Sequence, residues 1–87
     1  MISVKEKSEL YEHIISTKFD IQDMEDSLKL VLSVKEHLDT LDLFFFVKGI
    51  VYSTIRNHPV EGVIKIMYQL DKLNLLINYA PRFLMYF

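Results

Sequence analysis

Glu9, Glu12 and His13 come closest to a chemical motif in this 87-residue chain. On a helix, Glu9 and His13 stand one turn apart on a shared face, a spacing from which two metal ligands can converge. Helical di-metal centres also need glutamates from facing helices and further Glu-x-x-His pairs, and neither His37 nor His58 stands in such an arrangement. The three therefore read as a solvated acidic face, and no metal is expected. Ser53, Thr54 and His58 form a second cluster, since a nucleophilic hydroxyl needs a positioned base beside it. Asn57-His58-Pro59 already has a full explanation as a helix stop and start, because the residue before proline avoids the helical region. There is no glycine-rich phosphate loop, so the sequence predicts a non-enzymatic protein with no catalytic residue and no cofactor.

The polar residues that fall on apolar helix faces are harder to dismiss. Lys48 lies among Phe44, Val51 and Ile55 on a helical wheel, while Asp71, Asn74 and Asn78 continue an apolar face further on. A buried charge without a partner is costly. Lys48 is therefore expected to reach the edge along its alkyl stem, to pair with an acid such as Asp71, or to line a polar pocket with Asp71, Asn74 and Asn78.

Composition bounds what can position these groups. Apolar residues are unevenly distributed, with 16 before Leu41 and 28 from Leu41 onward. The first forty residues carry nine acids against five bases, and neither half has the basic patch that a phosphate backbone requires. Nucleic acid is not an expected partner. With no cysteine there are no disulfides or thiolate metal sites, which suits a reducing compartment. The opening Met-Ile-Ser-Val-Lys-Glu-Lys lacks the apolar core of a signal peptide, so a cytoplasmic location is expected.

The elements are predicted as follows. Ser3 with Glu6 forms a capping box for a first helix over 4–17, whose apolar face is Leu10, Tyr11, Ile14 and Ile15. Asp20 caps a second helix over 21–38, with Ile21, Met24, Leu28, Val31 and Leu38 recurring at three and four. Asp39, Thr40 or Asp42 opens a third helix, unless helices two and three run together through a kink. That helix carries Leu41 to Ile55, confines Asp42, Gly49, Ser53 and Arg56 to one narrow outward stripe, and should be central. It is too short to span a bilayer, which takes about 20 mostly apolar residues. Pro59 should occupy the first position of a fourth helix that turns Val60, Val63, Ile64, Met67 and Leu70 inward and runs to Ala80-Pro81.

We thus expect a single all-α domain over 1–87, a small four-helix antiparallel bundle with a short apolar C-terminal tail. Successive residues on a helix point about 100° apart, so Phe44-Phe45-Phe46 cannot bury every ring against one neighbour. Phe46 falls at the far edge of the outward stripe and is the ring expected to meet an outside surface, whereas by spacing alone simple core packing accounts for Phe44 and Phe45. The expected contact residues are Phe45 and Phe46 with Phe83, Leu84, Tyr86 and Phe87 of the tail. These point to a protein-interaction module of the inhibitor, immunity, antitoxin or chaperone kind, acting by occluding a protein partner and self-associating as a homodimer. Two alternatives remain open: a helix-turn-helix regulator built around Asn57-His58-Pro59, and a helical oligomer that sequesters a small ligand at the Lys48 group.

Overall fold

The computed structural model describes residues 3–74, which form four α-helices and no strand. These are α1 (Val4–Ile14), α2 (Ile21–Ser33), α3 (Thr40–Asn57) and α4 (Glu61–Lys72), with a 3-10 turn, Lys35–His37, after α2. Three of the helices begin at a side chain that accepts a backbone N–H. Ser3 Oγ accepts from Glu6 at 3.1 Å, Asp20 Oδ1 from Asp23 at 2.8 Å, and Asp39 Oδ1 from Asp42 at 2.7 Å. At the start of α2 the Asp23 carboxylate also accepts from the Asp20 N–H at 3.0 Å, so each end of the cap satisfies the other. The cap at Asp39 decides that α2 and α3 are separate helices.

Three helices end earlier than their apolar periodicity predicts. α1 stops at Ile14 rather than at 17, and the carbonyls of Ile15 and Ser16 instead accept from Arg56 Nη2 at 3.0 and 3.1 Å. α2 stops at Ser33, whose hydroxyl turns back to the Leu30 carbonyl at 2.7 Å. α4 stops at Lys72, because Asn74 takes the left-handed conformation (φ 59°) that commonly closes a helix. Its start is also later than expected, at Glu61 rather than Pro59. Gly62 N–H donates to the His58 carbonyl at 2.7 Å, closing one turn ahead of α4 that needs no N–H from Pro59.

α3 is the central element, packing against α1, α2 and α4, while α2 also meets α4. Its Val47, Ile50 and Val51 join Met24, Leu28 and Val31 of α2, Ile14 of α1, and Ile66 and Leu70 of α4 in one core. Phe19 enters that core from the connection before α2. It directly precedes the cap Asp20, and Met24 lies one turn into the helix, the two positions of a hydrophobic staple.

The stripe on α3 read as outward turns out to be its seam with α1. Asp42, Gly49 and Arg56 recur every seven residues, which returns them to nearly the same side of the helix. Asp42 meets Lys7 Nζ at 3.0 Å, a Cβ added at Gly49 would lie 3.1 Å from Ile14 Cγ2, and Arg56 holds the end of α1. Lys7 to Asp42 and Ile14 to Gly49 have the same separation in sequence, so α1 and α3 run parallel along this seam. Ser53, on the same stripe, is buried.

The face of α4 is a second correction. Gly62, Ile66, Gln69 and Leu70 point inward, whereas Val60, Val63, Ile64 and Met67 are exposed. Gly62 sets this rotation, since a Cβ there would lie 2.8 Å from the Thr54 carbonyl oxygen of α3. Only a residue without a side chain lets the two backbones approach so closely.

Two stability outcomes follow from these contacts. Gly62→Ala should lose about 1–3 kcal/mol in urea denaturation, because the clash is with backbone and exceeds the helix-propensity gain of about 1 kcal/mol. Arg56→Ala should lose about 1 kcal/mol through the freed Ile15 and Ser16 carbonyls, and Arg56→Lys should recover only part of it, since the lysine ammonium lacks the planar, pre-organised donor fork of the guanidinium.

Candidate functional site

A shallow groove of about 530 Å³ lies between α1 and the first turns of α3. Its apolar surface comes from Val4 and Tyr11 of α1 and from Phe45 and Phe46 of α3. Lys7 and Asp42 cross it as an ion pair at 3.0 Å, each about one-third exposed, and Ser8 and Glu12 complete the α1 wall. The short polar helix α1 supplies one wall because it buries only Ile14 fully, leaving Tyr11 and Ile15 outside the core rather than within it as their spacing predicts.

The adjacent rings of α3 separate as 100° steps require. Phe46 is buried at 5% exposure, which corrects the reading that places it on the outward surface; the stripe it borders is covered by α1. Phe45 is 51% exposed and carries the accessible edge of the groove. Phe44 is half-buried, its ring 6.3 Å from that of Phe45.

Lys48 is half-buried, with Nζ 6.0 Å from the Phe44 ring centre and 5.6 Å from that of Tyr52. This is the geometry of an alkyl stem on apolar surface with the ammonium over aromatic faces. Asp71 and Asn74 are exposed around the end of α4. Asn78, Phe83, Leu84, Tyr86 and Phe87 lie outside the described residues.

Glu9, Glu12 and His13 are all exposed on α1. His13 presents its ring edge-on to Phe19 at 5.7 Å and its Nε2 to Asp23 Oδ1 at 3.6 Å, so it joins the two helix ends. Among the described residues no three side chains of His, Cys, Asp or Glu converge closely enough to hold a metal ion. Ser53 and Thr54 are buried, and the Thr54 hydroxyl donates to the Ile50 carbonyl one turn back at 2.7 Å. That hydroxyl is sealed from any substrate. Among the described residues no helix is long and apolar enough to cross a membrane.

Sequence reasoning missed Lys7, Asp42 and Tyr11 as groove residues. The seven-residue recurrence of Asp42, Gly49 and Arg56 is visible in the sequence, but a small and polar stripe has the same appearance facing solvent or a close neighbour. Comparison with protein families, with curated proteins and with solved structures finds no match to this chain.

The separation of the two rings is checkable by denaturation. Phe46→Ala should cost about 3–5 kcal/mol as a buried aromatic truncation, whereas Phe45→Ala should stay within about 1 kcal/mol. Equal losses would place both rings in the core.

Proposed function

We propose that this chain is a non-enzymatic protein-interaction module whose α1/α3 groove receives an apolar anchor from a protein partner and so occludes that part of the partner. The observation that carries this reading is the pair of exposed rings, Tyr11 and Phe45, facing a groove whose floor is the buried Phe46. Aromatic residues provide large contact area at low entropic cost and dominate binding energy where they line a pocket. Lys7 and Asp42 neutralise one another, which leaves Glu12 as the unbalanced charge of the wall and Glu9 exposed on the same helix. A partner with a basic rim around its apolar anchor complements that arrangement, and opposite charge would speed the encounter.

The test is crosslinking and capture from source cells with the full chain, carrying a photoreactive group at Phe45 or the substitutions Tyr11→Ala and Phe45→Ala together. A crosslink at position 45 to a single protein species is expected, together with a fall of about tenfold or more in that protein's recovery by the double variant. Undiminished recovery with the double variant would remove the groove from the contact.

A further inference from the structure

The outward face of α4 has a pattern that the groove does not use. Val60, Val63, Ile64, Met67 and Tyr68 are all exposed, with Val60 at 78%, Ile64 at 65% and Tyr68 at 62%. Their spacing of three and four makes one continuous stripe along the helix, the form of a helix-packing seam rather than of scattered surface residues. Glu61, Lys65 and Lys72 line one edge of this stripe, all exposed. The side chains that enter the core lie on the far side of that charged edge and of the opposite apolar edge.

We propose that this face binds a second copy of the chain, with the two α4 helices laid antiparallel about a two-fold axis. The order of charge along the helix favours that direction. In an antiparallel pair like edges meet, so Glu61 at the start of one helix stands beside Lys72 at the end of the other; two-fold symmetry makes this contact twice, against one like-charge meeting of the two exposed Lys65 side chains near the axis. A parallel pair would lay the charged edge against the apolar edge formed by Val63 and Met67.

Asp71 supports the same register. It continues the apolar stripe beyond Tyr68, in the last turn of α4, where a negative charge opposes the helix dipole. With Ile64 of one copy opposite Met67 of the other, Asp71 falls opposite the other copy's Val60. That is the start of a helix with no side-chain cap, where unpaired N–H groups favour a carboxylate. A 12-residue helix from each copy covers less than the roughly 800 Å² per partner of a tight complex, so the dimer should form with a dissociation constant on the order of micromolar.

Sedimentation velocity on the full chain across the micromolar range tests this. The wild type should pass from monomer to dimer with rising concentration. Ile64→Glu should remain monomeric with unchanged helical circular dichroism, because Ile64 lies outside the core. Glu61→Lys and Lys72→Glu should each weaken self-association about tenfold. An equimolar mixture of the two variants should associate like the wild type, since positions 61 and 72 then pair a lysine with a carboxylate of the other copy at both helix ends. A wild type monomeric throughout that range would overturn the proposal. So would a dimer that survives Ile64→Glu, or a mixture no stronger than either variant alone. A monomer whose thermal stability falls on Ile64→Glu would show the face covered by its own chain, and that too would overturn it.

Discussion

Helix α3 must present three of its sides to other helices, and the arrangement depends on how closely α1 can approach the side that carries no large side chain. Gly49 leaves room for Ile14 Cγ2, while Asp42 and Arg56, two turns away on either side, fasten the two ends of α1. α1 needs this help because its own apolar contribution is small: Ile14 is its single fully buried residue. A helix of 11 residues has little stability of its own in water, so its order depends on that seam. The groove belongs to the same seam, since Lys7 and Asp42, the ion pair that joins the two helices, line it beside Phe45 and Phe46.

The second close approach has the opposite consequence for surface chemistry. At Gly62 the gain lies in backbone proximity, which brings Ile66 and Leu70 into the core and buries Gln69 beside them. Turning that side inward directs the more apolar side outward. A helix that buries a glycine and a glutamine while exposing valine, isoleucine, methionine and tyrosine has exchanged one apolar face for a tighter junction. The exposed aliphatic stripe on α4 thus follows from the position of Gly62.

Much of the local structure can be read from the residues themselves. Ser3, Asp20 and Asp39 start helices as their side-chain chemistry predicts, and His58 before Pro59 ends one. The buried face of α2, with Met24, Leu28 and Val31, follows its three-four spacing. The candidate site is only partly legible. Spacing assigns Phe45 to core packing and Phe46 to the outside, the reverse of where they stand, and it draws the inward face of α4 through Val60 and Ile64 rather than through Gly62 and Ile66.

By itself the sequence determined the all-α class and most of the helix starting points within residues 3–74, because caps and proline act within one turn of chain. Hydrogen bonds of that range are specified by neighbours. Which face of α3 meets α1, which face of α4 turns inward, and that Lys7 finds Asp42 thirty-five residues away were decided only by tertiary packing. Periodicity measures how apolar a face is, whereas the rotation of a packed helix is set by how near two backbones can come, and that distance belongs to the pair.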